Sequence, residues 1–281
     1  MTLSKISITS EKLKNRSKFA VRYLSIFGQD YPDFLIIGAQ KGGTSSLYSY
    51  LLQHPNILPS LTKEVHFFDR PSNRKKGHRW YKSHFPTRWE KQRKQAITGE
   101  ATPLMQYFHA PRLISEAMPT VKIIMLLRNP VDRALSHYKH NTRRPGREPL
   151  SFSDAIRQEP ERIAADLQQV PVDEWHHDRS LRRYGYAHRG FYAQQLERWL
   201  NYFPKEQVLV AKSEDFYANP QTCLDQVTDF LGLPRHAFEL GQKFNVGGYS
   251  DTMANADRHW LEQVFEPENK QLFQLLGEHL W

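Results

Sequence analysis

The stretch FLIIGAQKGGTSSLYSYLLQHP, residues 34–55, runs from a short apolar segment through a Gly-rich turn into a helical pattern. Gly38 and Gly43 have the spacing of the phosphate loop G-x-x-x-x-G-K-[ST], but the lysine stands early, at Lys41, and Thr44 follows Gly43 directly. A strand that ends in such a turn leaves several backbone N–H groups at a helix N-terminus, where the helix dipole also favours an anion. Gly42 and Gly43 let the backbone approach closely, Thr44, Ser45 and Ser46 add hydroxyl donors, and Lys41 supplies a localised charge. A plain strand-to-helix turn is the alternative, yet three hydroxyl residues behind Lys-Gly-Gly are more than a turn requires.

Two further apolar runs lie downstream, VKIIMLLRNP at 121–130 and QVLVAKSEDF at 207–216. Near-continuous apolar runs fit strands covered on both faces, hence a parallel sheet. Helical patterns fall between and after them: 45–53, 111–118, 131–138 entered through Pro130, FYAQQLERWLNYFP at 191–204, and NKQLFQLLGEHL at 269–280. Alternating strands and helices predict a single α/β domain over 31–281, behind a basic leader over 1–30 that is expected to be solvated. Segments 143–149 and 159–178 read as a loop-bearing insertion.

The chain has 281 residues, enough for a substantial core. Its 39 Lys+Arg against 30 Asp+Glu give a formal charge of +9, which favours anionic partners without choosing among them. Cys223 is the single cysteine, so no intramolecular disulfide can form, and its place in PQTCLDQVTDFLGLP is an apolar helical position expected in the core. No apolar stretch approaches the roughly 20 residues that cross a bilayer, and the N-terminal residues lack an apolar signal core. The expectation is a cytoplasmic protein, with the basic leader as the one segment offering contact to a membrane surface.

An ATPase or GTPase also needs an acidic residue at a strand end for Mg²⁺. The strand KIIMLL is followed instead by Arg128, and the nearest alternative, Glu214–Asp215 after VLVAK, is a weak one. The loop therefore reads as a phosphate cradle without the metal half, and no metal is expected.

IIGAQKGGTSSL, KEVHFFD, GEATP and LLRNPVDRALSHY together resemble the sulfotransferases, in the branch of the heparan sulfate N- and 3-O-sulfotransferases. The likeness continues through WYKSHFP, FYAQQLERWLNYFP and FEPENKQLFQLLG, covering the chain from about Phe34 to its last residues. The resemblance implies a P-loop-like three-layer fold, a central parallel sheet flanked by helices, and the donor 3′-phosphoadenosine 5′-phosphosulfate (PAPS). It implies that the loop Lys41, Gly42, Gly43, Thr44, Ser45 and Ser46 holds the 5′-phosphosulfate. Arg128 and Ser136 would hold the 3′-phosphate, with Tyr192 packed near the nucleotide.

Sulfuryl transfer can proceed by positioning and by cations at the leaving phosphate, without a metal. Lys41 is then the candidate to neutralise the bridging oxygen. TKEVHFFD offers Glu64, His66 and Asp69; if 64–68 is extended, Glu64 and His66 share one side while Val65 and Phe67 pack on the other. The resemblance makes Glu64 the general base, with His66 orienting the base or the acceptor. His66, Asp69, Glu100 and Thr102 are the candidate acceptor-side residues, the last two from TGEATP at 98–103, which is expected to form a second wall. Glu100 either binds the acceptor or only supports that wall.

Many relatives carry a lysine directly after that glutamate, whereas Ala101 stands here and removes a cation from the expected cleft. FNVGGYSD, 244–251, falls where relatives have a Lys-Gly loop over the 3′-phosphate, but no lysine follows Asn245, which implies a donor lid of different build. The acceptor expected from the resemblance is a carbohydrate or glycan-like hydroxyl or amine.

Residues 70–94 are densely cationic and interleaved with Trp80, Tyr81, Phe85 and Trp89. A helix with its aromatic side on the core is the preferred reading over a nucleic-acid surface. A second cationic strip, 137–147, is placed beside the same cleft. Two competing readings stay open from sequence: a P-loop kinase or nucleotide hydrolase using Mg-ATP, and a non-enzymatic basic module for nucleic acid or acidic lipid.

Overall fold

The computed structural model describes residues 3–25, 28–168, 179–241 and 253–281, with side chains from Leu13 onward. The stretch 244–251 read as a donor lid lies outside the described residues, as does 169–178 of the expected insertion.

Five strands form the sheet: β1 (Phe34–Gly38), β2 (Ile57–Leu58), β3 (Ile97–Ala101), β4 (Lys122–Leu127) and β5 (Val208–Lys212). They are ordered β2-β3-β1-β4-β5, and every neighbouring pair is parallel. Three of the five are the apolar runs read from the sequence. The other two escaped for identifiable reasons: β2 has only two residues, and β3 reads ITGEA, with a glycine and a glutamate where an apolar run is sought.

The period-two alternation of strands sorts their side chains onto opposite faces. From β1 and β4, Leu35, Ile37, Ile123, Met125 and Leu127 face one cluster, with Ile114 and with Leu196 and Trp199 of the helix Tyr192–Leu200. Phe34, Ile36, Ile124 and Leu126 face the other, with Leu47 and Leu51 of the helix Thr44–Leu51 and with Leu224 and Val227 of Pro220–Leu231. This is the expected three-layer α/β arrangement; each such side chain, buried fully, contributes about 1.5–3 kcal/mol. Cys223 lies in the second cluster as expected, and burial pushes its thiol up to about 12.

The last helix, Asn255–Leu276, begins well before the amphipathic segment recognised in the sequence. It packs Leu261 and Phe265 with Val131 and Ala134 of the helix Pro130–Thr142 and with Ala155 and Ile156. Of the expected insertion, 143–149 is turn and loop, while Glu159–Ile163 forms a short helix followed by a 3₁₀ turn at Ala164–Leu167.

The leader also departs from expectation. Residues Leu3–Leu24 form a helix, α1, whose inner face is tied down: Asn15 donates to the Leu61 carbonyl, Phe19 rests on His84, and Arg22 pairs with Glu90 at 2.9 Å. Its partners are short helices of the basic segment, Gly77–Lys82 and Arg88–Lys94, whose Tyr81 and neighbouring Phe85 enter the core as the sequence suggested.

Candidate active site

In a parallel sheet, ligand crevices open at the carboxyl ends of the strands, where the strand order reverses. Here the chain steps from β3 on one side of β1 to β4 on the other. The loops after β1, β3 and β4 carry Lys41, Thr102 and Arg128 respectively.

The turn after β1 is seated against β4. Ala39 N–H donates to the Leu126 carbonyl at 2.8 Å, and a Cβ on Gly42 would meet that oxygen at 2.4 Å, so only glycine fits. Ser213 Oγ donates to the Gly42 carbonyl at 2.5 Å. Gly43 is the N-cap of the helix Thr44–Leu51, left-handed at φ 98° and without a side-chain cap. Lys41 is left-handed as well, at φ 72°. Gly43 has no side chain with which to cap the helix, and Lys41, Thr44 and Ser45 around its N-terminus are half-buried, an arrangement suited to an anion.

Arg128 reaches back from the end of β4, its Nη1 donating to the Lys41 carbonyl at 3.3 Å. Two contacts fix its backbone: Tyr192 Oη donates to the Arg128 carbonyl at 3.0 Å, and Asn129 N–H donates to Glu214 Oε1 at 2.9 Å. Tyr192 itself is buried in the core, so its hold on this region runs through Arg128. Ser136 is buried on the helix Pro130–Thr142, which is capped by the Asn129 side chain and has Pro130 in its first turn. On the same helix Asp132 pairs with Arg258 at 2.9 Å, and Arg133 is buried, donating to the Gly185 and Tyr186 carbonyls. His140, farther along the helix, is lowered by burial and then by the Lys41 charge.

The segment expected on the acceptor side is residues 63–69. Glu64 and His66 are both left-handed, at φ 58° and 57°, so the segment is not the extended strand expected. The alternation of sides survives: Val65 and Phe67 are buried while Glu64 and His66 remain accessible. The reason lies in what pins Val65, whose N–H donates to Glu100 Oε1 at 2.9 Å.

Glu64, His66 and Asp69 form a chain of contacts. His66 Nε2 is 3.6 Å from Glu64 Oε2, and His66 Nδ1 is 2.7 Å from Asp69 Oδ2. The His66 contact, helped by Lys63 against the opposing effect of burial, holds the Glu64 carboxyl down to about 2. Burial pulls His66 down, but its bonds to Asp69 and Glu64 outweigh that and raise it to about 9. These contacts favour the imidazolium form of His66, which hydrogen-bonds Asp69 through Nδ1 and faces the Glu64 carboxylate across 3.6 Å through Nε2.

Lys63, which the sequence reading passed over, joins the two halves. Its Nζ lies 2.5 Å from Ser45 Oγ and 3.1 Å from Glu64 Oε1, linking the phosphate-loop helix to Glu64. The available signal was its adjacency to Glu64 in TKEVHFFD.

Three predicted acceptor residues lie deeper than expected. Glu100 is buried and accepts from Val65 N–H, from Tyr81 Oη at 2.6 Å and from the Thr102 hydroxyl. Burial raises its pKa against those hydrogen bonds. Thr102 and Asp69 are buried too, the latter holding His66. Glu100, Asp69 and Thr102 are thus all buried, whereas Glu64 and His66 are accessible.

The profile of the sulfotransferase domain family matches residues 31–263. Human bifunctional heparan sulfate N-deacetylase/N-sulfotransferase 3 is 35% identical over 215 residues, 73% of this chain and 23% of that protein. Human heparan sulfate glucosamine 3-O-sulfotransferase 6 is 35% identical over 223 residues, 77% of this chain and 56% of that protein. The chain thus spans 23% of the length of the first of these relatives and 56% of the second. The crystal structure of a sulfotransferase from Alicyclobacillus acidocaldarius superposes with a TM-score of 0.71 at 32% identity, covering 89% of this chain and 98% of that one.

Proposed function

The chain belongs to the sulfotransferase family, and on that premise we propose that it transfers a sulfuryl group from PAPS to a hydroxyl or amine of a glycan-like acceptor. The observation that carries the donor half is the joining of the two cationic loops, with Arg128 bonded to the Lys41 backbone at the mouth of an anion-suited helix N-terminus. The residues fit such a donor. The N–H groups of Gly42–Ser46, the nearby hydroxyls and Lys41 would hold the 5′-phosphosulfate, and Arg128 with Ser136 the 3′-phosphate. When bound, the donor supplies an activated sulfuryl group on a phosphate leaving group.

Glu64 takes the proton of the acceptor hydroxyl or amine as the new bond to sulfur forms. The bond from sulfur to the bridging oxygen breaks, its electron pair stays on the phosphate, and Lys41 stabilises that charge. With its carboxyl near 2, Glu64 is fully ionised but a weak base while His66 and Lys63 both hold it. An acceptor that takes over the Lys63 hydrogen bond removes part of that restraint and raises the carboxylate's proton affinity. His66, held by Asp69, keeps Glu64 aimed. The acceptor class rests on the two human relatives; Ala101 is buried in the second core cluster, so the missing cation expected there does not bear on the cleft.

The test is transfer of labelled sulfate from PAPS to a panel of glucosaminyl oligosaccharides with free amine or hydroxyl positions. Wild type should form product, and Glu64→Gln should lower kcat by roughly 10²–10⁴ with donor affinity nearly unchanged. An equal loss of donor binding in Glu64→Gln would remove Glu64 from the base role.

A further inference from the structure

The helix α1 has two faces of opposite character. Asn15, Phe19 and Arg22, at i, i+4 and i+7, anchor it to the body of the protein, and Arg79 holds its last turn through the Tyr23 and Leu24 carbonyls. Opposite them, Leu13, Ser17, Ala20, Val21 and Leu24 fall on a stripe that points away from the protein. Leu13 is 58% exposed, Val21 70% and Leu24 74%. These are large apolar side chains that the fold leaves in water on a helix it has already anchored.

Charge says what covers them. Lys14, Arg16 and Lys18 flank the stripe and are exposed. Along α1 the sequence places Lys5, Lys12, Lys14, Arg16, Lys18 and Arg22 against one acid, Glu11. The adjoining helix Arg88–Lys94, joined through Arg22–Glu90, exposes Trp89 at 63% together with Arg88, Arg93 and Lys94. A second copy of α1 would bring like charges together, whereas an anionic lipid surface accepts the apolar stripe and the basic flanks at once. No described helix is long and apolar enough to cross a membrane, so the contact is one of lying on the surface.

We propose that the outward face of α1 is an interfacial membrane-binding surface for anionic lipid. Asn15 holds the Leu61 carbonyl at 3.2 Å, two residues before Lys63. The lipid face and Leu61 lie on opposite sides of one helix, about 10 Å across. Binding through α1 therefore holds the segment leading into Glu64 close to the bilayer. The inference stands on α1 alone and does not depend on the donor or acceptor.

The experiment is flotation of the full chain with vesicles of phosphatidylcholine alone or with about one third phosphatidylglycerol, at low and high salt, beside sedimentation velocity without lipid. The expected result is binding to the anionic vesicles that weakens at least tenfold in high salt. The triple variant Leu13→Glu, Val21→Glu, Leu24→Glu should lose it, as should Lys14→Glu with Lys18→Glu, both melting cooperatively as wild type does. Absence of binding to the anionic vesicles overturns the proposal, as does binding that the triple variant retains. A wild-type dimer that the triple variant converts to monomer, with no vesicle binding by either, assigns the stripe to a second copy and equally overturns it.

Discussion

His66 stands between two carboxylates, 2.7 Å from Asp69 through Nδ1 and 3.6 Å from Glu64 through Nε2. A histidine so placed keeps its proton. Because the Asp69 bond acts on it more strongly than the Glu64 bond, the two partners can be separated experimentally. In nuclear magnetic resonance titrations His66 should titrate near 9 in the wild type, lower in Glu64→Gln and lower still in Asp69→Asn. A wild-type midpoint near the ordinary 6.5 would dismantle this arrangement.

The same pair makes stability depend on pH. His66 is raised, so its contribution is complete below its ordinary value near 6.5 and is lost as the pH rises through about 9. Glu64 is depressed, so its contribution is complete above its ordinary value near 4.5 and is lost as the pH falls through about 2. Both are complete between about pH 4.5 and 6.5. Denaturation midpoints of wild type minus those of a Glu64→Gln, His66→Gln double variant should be largest there and shrink towards either extreme; a difference that grows above pH 9 would contradict the assignment.

Glu100 supports the site from below, so its loss should be felt at Glu64 and not at the donor. Glu100→Ala leaves the Val65 N–H and the Tyr81 and Thr102 hydroxyls without their acceptor, at about 1–3 kcal/mol per stranded group. Urea unfolding should report the destabilisation and steady-state rates a fall in kcat, with nucleotide affinity changed less than about threefold. A normal kcat in a folded Glu100→Ala protein would mean that the Val65 bond does not position Glu64.

Gly42 is set by contact with backbone, which cannot yield as a side chain can. A Cβ there meets the Leu126 carbonyl at 2.4 Å and the Ala39 carbonyl at 3.0 Å. Gly42→Ala should cost about 1–3 kcal/mol and displace the loop, weakening nucleotide binding together with stability. Calorimetry showing wild-type nucleotide affinity in that variant would argue that the loop does not touch the ligand.

Much of this was legible in the chain because local chemistry and fold agree. The run FLIIG and the run KIIMLL are apolar enough to be strands on their own account, and the turn after each holds the residue types an anion needs. β3 was not legible, since its glycine and glutamate belong to the support of a neighbouring loop and not to an apolar pattern. The left-handed turns at Glu64 and His66 were hidden for a related reason: they depend on a bond from Val65 to Glu100, thirty-five residues away. The docking of α1 through Asn15, Phe19 and Arg22 likewise depends on partners that are distant in sequence.

Whether the two cationic loops form the site of a 3′-phosphorylated donor nucleotide can be read from ligand-induced thermal shift. The comparison is 3′-phosphoadenosine 5′-phosphate against adenosine 5′-phosphate and Mg-ATP, in wild type and in Arg128→Ala. At about 100 times its dissociation constant a ligand stabilises the fold by roughly 2.7 kcal/mol, a shift of several degrees for a chain of this length. That shift is expected for the bisphosphate in wild type, with a roughly 10–100-fold weaker response in Arg128→Ala, which removes the proposed charge-assisted contact to the 3′-phosphate. A shift with Mg-ATP alone, or an Arg128→Ala variant that still prefers the 3′-phosphate as strongly as wild type, would contradict it.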